Sequence, residues 1–218
     1  MRIPSQSFPA LAAVPGVVHA FLLRVPGLDV QTDRENAMLR LAAVQRAELD
    51  RLGFAGMPLA RAEQVHSNRA AVVDGSPEIP AAGADALVAT RPNIALGIHV
   101  ADCAAVFFVD RHRRGIALAH SGRKGTELDI ATRTLETLLQ STGAGPADII
   151  AQISPCIRPP HYEVDFAAEI RAQLAKAGVR EVHDCMDSTF PDPVKYYSYR
   201  RESGRTGRLL AALALAGD

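Results

Sequence analysis

Two apolar runs in the middle of the chain give its clearest structural pattern. Residues 104–110, AAVFFVD, and residues 115–120, GIALAH, are of strand length and almost wholly apolar, and a short polar turn separates them. Such runs predict buried strands, and the short turn predicts that they form an antiparallel hairpin. The start of the first strand and the end of the second then lie side by side. Cys103 and His120 are therefore predicted to be neighbours.

The rest of the chain alternates between further strand-like runs and amphipathic stretches. Strands are predicted at 17–23, from 70 onward, and at 84–90, 94–100, 148–154 and 179–185. Helices are predicted from Thr32, where Thr32 and Glu35 have the spacing of a capping box, from Thr126, at 166–177, and in the Leu- and Ala-rich C-terminal segment. This mixture predicts an α+β (mixed α/β) fold, and the length suits a single domain over residues 1–218.

Charge and cysteine content narrow the classes of protein. The chain has 24 basic and 24 acidic residues and no long run of Lys or Arg, so neither nucleic acid nor an anionic membrane is a predicted partner. The N-terminal residues do not have the pattern of a signal peptide, which predicts a cytoplasmic location. Cys103, Cys156 and Cys185 are widely spaced, which argues against a disulfide framework and leaves metal binding, nucleophilic chemistry or core packing.

The predicted pair of Cys103 and His120 suits two kinds of chemistry. A thiolate and one or two imidazoles suit a zinc ion with an open coordination position. A thiol beside an imidazole also suits a cysteine nucleophile with a histidine base, and spacing does not decide between the two. Asp102 is predicted to point away from Cys103, because successive side chains of a strand alternate between its faces.

The turn after His120 has the composition of an anion site. It reads SGRKGT, so that small residues present backbone N–H groups beside the cations Arg123 and Lys124, as binding of phosphate requires. The same spacing also fits an ordinary turn whose two cations lie in water.

Seven segments together resemble, in the right order, the laccase-domain family, also called the polyphenol-oxidase family or multicopper-oxidase-type purine nucleoside phosphorylases. The segments are HAFLLR at 19–24, QVHS at 64–67, ADALVAT at 84–90, ADC at 101–103, HSGRKGT at 120–126, SPCIRPPHYEV at 154–164 and SYRRESGRTGR at 198–208. They span nearly the whole chain, so a chance similarity is a poor explanation for them.

The resemblance implies a fold, a metal site and a reaction. It implies a layered α/β/β/α arrangement with a metal site at the edge of the sheets, where His66, Cys103 and His120 hold one zinc ion. Members of the family are described as acting on purine nucleosides, by phosphorolysis and by deamination of adenosine. Copper is the less favoured metal, because one thiolate and two imidazoles do not make the several copper sites that oxidation of phenols would need.

The same resemblance implies which residues hold phosphate, and here the chain departs from the family pattern. Arg24 matches the entry arginine of the family and is the first candidate, followed by Lys124 and its neighbour Arg123. The usual HAGWRG turn is HSGRKG in this chain, and a lysine lacks the planar fork of an arginine. The segment after Arg24 is also shortened to VPGLDVQ.

Two alternatives to a zinc enzyme acting on purine nucleosides follow from these observations. The first is a metal-free cysteine hydrolase or amidase in which Cys103 attacks and His120 is the base. The second is a metal-binding protein whose altered turn and shortened loop have changed or removed catalysis. The two small molecules predicted as substrates of the favoured enzyme are a purine nucleoside and phosphate.

Overall fold

The computed structural model describes residues 2–75 and 80–217, which form two mixed β-sheets covered by helices. The strands, in chain order, are β1 (Ser5–Gln6), β2 (Val17–Leu22), β3 (Leu59–Arg61), β4 (Ala70–Val72), β5 (Ala86–Ala89), β6 (Ala95–Val100), β7 (Ala104–Asp110), β8 (Ile116–Ser121), β9 (Ile149–Ile153), β10 (Glu181–Asp184) and β11 (Leu209–Leu215). The helices are α1 (Pro9–Ala12), α2 (Arg34–Leu49), α3 (Arg123–Glu127), α4 (Ile130–Thr142) and α5 (Phe166–Lys176). A π-helical turn, Asp50–Phe54, and a 3-10 turn, Pro146–Asp148, complete the helical elements of this part of the chain.

One sheet has five strands in the order β1-β2-β11-β6-β3, and the other has six in the order β10-β9-β7-β8-β5-β4. The predicted hairpin is confirmed, because β7 and β8 pair antiparallel with Ala104 opposite Ser121 and Ala105 opposite His120. Cys103 directly precedes β7 and therefore lies beside the end of β8. Both sheets mix parallel and antiparallel neighbours, which confirms the mixed α/β fold class.

The continuous apolar character of β7 follows from its burial on both faces. Ala105, Phe107 and Val109 belong to a core shared with the five-stranded sheet, where Phe21 and Leu213 also lie. The alternate residues of β7 face a second core, built with α4 and α5. A strand between two cores has no polar face, so its sequence reads as one apolar run.

The C-terminal segment was predicted as a helix, and this prediction is wrong. It forms β11, whose seven residues are all buried between β2 and β6. A short Leu- and Ala-rich run is compatible with a buried strand or a buried helix, because periodicity does not separate the two. Pairing on both sides of the segment overrides the helix propensity of leucine and alanine.

The helix starts predicted at Thr32 and Thr126 are displaced, whereas the start predicted at 166 agrees with α5. Asp33, not Thr32, caps α2, because its side chain accepts the N–H of Asn36 at 3.0 Å. Thr126 lies inside α3, where its hydroxyl donates to the carbonyl oxygen of Gly122 at 2.8 Å. Within the described residues, no helix combines the length and the apolar composition needed to cross a membrane.

Candidate metal centre and its cavity

Three side chains from separate parts of the fold converge at one end of the β7–β8 hairpin. His66 comes from the loop between β3 and β4, Cys103 precedes β7, and His120 is near the end of β8. Their ligand atoms lie within 4.8 Å of one another, and the two imidazole rings have centroids 5.0 Å apart. His120 is buried, Cys103 is half-buried and His66 is exposed. The structure thus brings together the three residues that the family resemblance selected.

A buried carboxylate, Asp85, holds the backbone of His66 and the side chain of His120 in place. One oxygen accepts the N–H of His66 at 3.0 Å and lies 2.9 Å from Nδ1 of His120. The other oxygen accepts the N–H groups of Val65 at 3.1 Å and Ser67 at 2.7 Å. Because Nδ1 of His120 donates a hydrogen bond to this carboxylate, Nε2 can bind a metal in exchange for its own proton, as in many histidine metal sites.

The same carboxylate stabilises an unusual loop conformation. Gln64 and His66 both have positive φ angles, 62° and 61°, which is uncommon for residues other than glycine. Hydrogen bonds to Asp85 from three consecutive N–H groups offset the cost of this backbone geometry. Asp85 was not predicted as a site residue, although an acidic residue at the start of an apolar run was a visible indication.

The charges at the centre favour a thiolate. Burial alone would raise the pKa of Cys103, but His120 and then His66 lower it to about 6. Burial alone would lower the pKa of His120, but the Cys103 thiolate and Asp85 raise it to about 9. Burial also opposes ionisation of Asp85, yet hydrogen bonds from His120 and Ser67 lower its pKa to about 2. At neutral pH the thiol is therefore ionised, which is the form that binds metals.

Gly122 allows the turn after β8 to pass directly over the thiol. A Cβ atom at this position would overlap Sγ of Cys103. Its φ angle of −105° is open to any residue, so the requirement for glycine comes from the lack of space. The small-residue turn therefore packs against the metal centre, and α3 begins immediately after it.

The three side chains line a cavity of about 640 Å³. An apolar and aromatic wall is formed by Ile157, Tyr162, Phe166 and Tyr199, and the cationic residues of the lining are Arg34, Arg123, Arg200 and Arg208. Volumes of this order, with a mainly apolar wall and few polar groups, are typical of small-molecule sites.

Asp102 lines the cavity and holds neighbouring parts of its wall in place. Its carboxylate accepts hydrogen bonds from the hydroxyls of Thr189 at 2.6 Å and Ser198 at 3.0 Å, and from the N–H of Arg200 at 2.9 Å. The side chain thus ties the C-terminal loop, which contributes Tyr199 and Arg200 to the cavity, to the start of β7.

The predicted phosphate residues occupy three different settings. Arg24 pairs with Glu202 at 2.7 Å and lies over the Tyr197 ring, and it is not among the described residues that line the cavity. Lys124 is exposed in α3 and is also outside that lining. Arg123 does line the cavity, but it pairs with Glu127 at 2.9 Å and with Glu163 at 3.4 Å.

The sequence and the fold both match known proteins. The family model described as multi-copper polyphenol oxidoreductase laccase matches residues 26–169 and 164–216. A purine nucleoside phosphorylase of Deinococcus radiodurans is 32% identical, over 91% of this chain and 89% of that protein. The chain belongs to this laccase-like family. Another similar protein is purine nucleoside phosphorylase YlmD of Bacillus subtilis. It is 29% identical, over 71% of this chain and 69% of that protein.

Solved structures extend the likeness to the fold of this laccase-like chain. YlmD from Geobacillus stearothermophilus superposes with a TM-score of 0.79 at 24% identity, over 94% of this chain and 93% of that one. Neisseria meningitidis protein NMB0706 gives a TM-score of 0.78 at 23% identity, over the full length of both chains. At these identities the likeness establishes a shared architecture of two mixed sheets.

Proposed function

We propose that this chain is a zinc-dependent enzyme that cleaves purine nucleosides with phosphate. The observation that carries the proposal is the convergence of His66, Cys103 and His120, oriented by Asp85, in the lining of an aromatic cavity. Relatives that carry the name purine nucleoside phosphorylase support the choice of substrate.

The residues present fit a zinc ion. Cys103 offers a thiolate, because its pKa is lowered to about 6 by the two imidazoles in spite of burial. His120 offers Nε2, because Nδ1 faces Asp85. A thiolate with two imidazoles is a common zinc ligand set, and its fourth position is available in catalytic sites. A zinc ion held there would supply Lewis acidity, which polarises a substrate oxygen or lowers the pKa of a coordinated water.

The aromatic wall fits the base of a nucleoside. Tyr162, Phe166 and Tyr199 offer ring faces and edges against which a planar purine can pack. Tyr162 and Phe166 are already in edge contact, with centroids 6.0 Å apart. Deamination of adenosine, which the family resemblance also implies, would use the same pocket for the base.

The proposal is tested by assaying the purified protein with adenosine or inosine and phosphate, before and after chelation. We expect release of free base, loss of turnover on chelation and recovery with zinc. Inosine formed from adenosine without phosphate would report the deaminase reaction. In the variant Cys103→Ser we expect loss of both metal and turnover, while Cys185→Ser, at another half-buried cysteine, retains both. A folded, zinc-loaded protein that turns over none of these nucleosides would contradict the proposal.

The arrangement of Asp85, His120 and Cys103 also supports a second candidate, a metal-free cysteine hydrolase or amidase. A carboxylate, an imidazole and an ionised thiol in sequence have the roles of orienting group, base and nucleophile. Elemental analysis separates the candidates. Stoichiometric zinc that is absent from Cys103→Ser favours the metal enzyme, and a metal-free active protein inactivated by iodoacetamide favours the hydrolase.

A further inference from the structure

One side of the cavity carries positive charge that the described structure leaves uncompensated. Arg34 lies in the first turn of α2, Arg208 directly precedes β11, and His99 lies near the end of β6. All three line the cavity. These residues come from distant parts of the sequence, so their spacing did not indicate a shared site, although Arg208 ends the segment SYRRESGRTGR.

The two arginines differ from the other arginines of the lining in their partners. Arg123 and Arg200 both face Glu163, at 3.4 and 3.5 Å. Within residues 2–75 and 80–217, no carboxylate lies within ion-pair distance of Arg34 or Arg208, whose hydrogen bonds go to carbonyl oxygens. Arg208 donates to the carbonyls of Thr206 and Gly207, both at 2.9 Å.

The carboxylate next to Arg34 on its N-terminal side already has other hydrogen-bond partners. Asp33, the residue before Arg34, caps α2 and also accepts the side-chain amide of Asn36 at 2.7 Å. Within the described residues, its oxygens bond Asn36 and Thr32, and it forms no ion pair with either guanidinium group. Burial and the nearby charge of Arg34 lower the pKa of Arg208, although Tyr199, Cys103 and Asp102 act in the opposite direction.

His99, which lines the same cavity, is neutral at pH 7. Burial, followed by the charges of Arg61, Arg34 and Arg208, lowers the pKa of His99 to about 3. Its ring lies 3.4 Å from the side-chain oxygen of Gln45, and the Gln64 side chain holds its backbone with bonds of 2.7 and 3.0 Å. The site thus presents two cations and an uncharged ring, a combination that an anion with several acceptor oxygens would stabilise.

We propose that Arg34 and Arg208 form the subsite that binds the phosphate co-substrate. This inference rests on the proposed phosphorolysis and replaces Arg24 and Lys124 as the phosphate residues. Arg34 and Arg208 line the same cavity as Cys103, His66 and His120, so a phosphate bound by the two arginines would share that cavity with the candidate metal ligands. A guanidinium can bind two phosphate oxygens at once, which a lysine ammonium does not do.

The reaction at this subsite balances without a further reactant. An oxygen of hydrogen phosphate forms a bond to C1′ of the ribose, and the bond from C1′ to the purine nitrogen breaks. The electron pair of that bond leaves with the purine, and the proton of hydrogen phosphate ends on the released base. The products are ribose 1-phosphate and the free purine.

The test measures binding of inorganic phosphate to the metal-loaded, full-length protein by calorimetry. We expect Arg34→Gln and Arg208→Gln each to raise the Kd for phosphate about tenfold or more, as loss of a charge-assisted hydrogen bond implies. The matched control is Arg205→Gln, an exposed arginine of the same loop that donates to the carbonyl of Gln31 at 3.3 Å. Its Kd should equal that of the wild type, and the zinc content of all variants should be unchanged.

Arg34→Gln keeps the test independent of folding, because Arg34 is exposed and its substitution leaves the core intact. Wild-type affinity in both variants overturns the subsite, as does a wild type that binds no phosphate at millimolar concentration. The subsite is also overturned if Arg24→Gln or Lys124→Gln loses phosphate binding while Arg34→Gln and Arg208→Gln keep it. If Arg34→Gln and Arg208→Gln bind phosphate more weakly but the wild type releases no base from nucleosides, the subsite is supported and the proposed phosphorolysis is wrong. If the wild type releases base and the KM for phosphate is unchanged in the variants, phosphorolysis stands and the subsite fails.

Discussion

Two cavities of nearly equal volume differ in how their charges are arranged. The metal cavity measures about 640 Å³, and a second, of about 610 Å³, lies between the N-terminal segment and the β9–β10 edge. In the second cavity Glu181 contacts both Arg111 and His183, each at 3.1 Å, and Asp184 pairs with Arg158. There the charges compensate one another, whereas the metal cavity holds Arg34 and Arg208 without a described carboxylate partner.

Each cavity also contains a half-buried cysteine, and the two thiols behave in opposite ways. Burial raises the pKa of Cys185 to about 11, while the imidazoles beside Cys103 bring its pKa down to about 6. Cavity volume and a nearby cysteine therefore do not identify a reactive site. The groups that face each thiol set its pKa. Substitutions that remove such groups, and reagents that report the ionised thiol, test this conclusion.

The largest expected effect is in alkylation of the two thiols by iodoacetamide in metal-free protein. At pH 7 Cys103 is above its pKa of about 6 and mostly thiolate, whereas Cys185 is far below its pKa of about 11. A low pKa also reduces intrinsic nucleophilicity, so we expect Cys103 to react roughly a hundredfold faster. Mass spectrometry of the labelled peptides measures both rates in one sample.

The pH dependence and a third cysteine provide the controls. Labelling of Cys103 should fall as the pH is lowered through about 6, because the thiol is then protonated. Cys156 is fully buried, and burial raises its pKa, so it should stay unlabelled until the protein unfolds. Equal rates for Cys103 and Cys185 would show that the imidazoles do not activate the thiol.

The second prediction concerns the carboxylate that orients His120. Asp85→Asn keeps the shape of the side chain but places an amide N–H against backbone donors and removes the charge facing His120. Loss of such a supporting group commonly lowers metal affinity about 10- to 100-fold. Competition with a chromophoric zinc chelator measures the change.

Asp110→Asn is the matched control for this substitution. Asp110 is another fully buried carboxylate of the same sheet, and its bonds go to Arg114 instead of to the metal centre. Both variants should lose stability, by about 1–3 kcal/mol for each unsatisfied buried polar group. Only Asp85→Asn should lose zinc. Equal zinc affinity in the two variants would reduce Asp85 to a structural residue.

The sequence predicted the part of the site that depends on local pattern. Two apolar runs and a short turn were enough to place Cys103 beside His120, because hairpin pairing is fixed by adjacent residues. His66 came only from the family resemblance, since the β3–β4 loop that carries it is distant in sequence from the hairpin. Asp85 and Arg208 were missed because their roles depend on residues far away in the chain. The helix prediction for Leu209–Leu215 failed for a related reason, since its strand partners, β2 and β6, come from distant segments.

The smallest expected effect tests whether space, as well as charge, distinguishes the metal cavity. In Gly122→Ala the new Cβ would overlap Sγ of Cys103, so the thiol must shift from its position beside the imidazoles or the turn must move. Rotation of the cysteine side chain can relieve part of the overlap, so we expect a cost of about 1 kcal/mol, or about a fivefold loss of zinc affinity. Gly145→Ala is the control, because its Cβ would meet only Asp148, at 3.8 Å. If both variants bind zinc as the wild type does, close packing of the turn is not needed to hold the thiol, and the imidazoles and Asp85 alone define the centre.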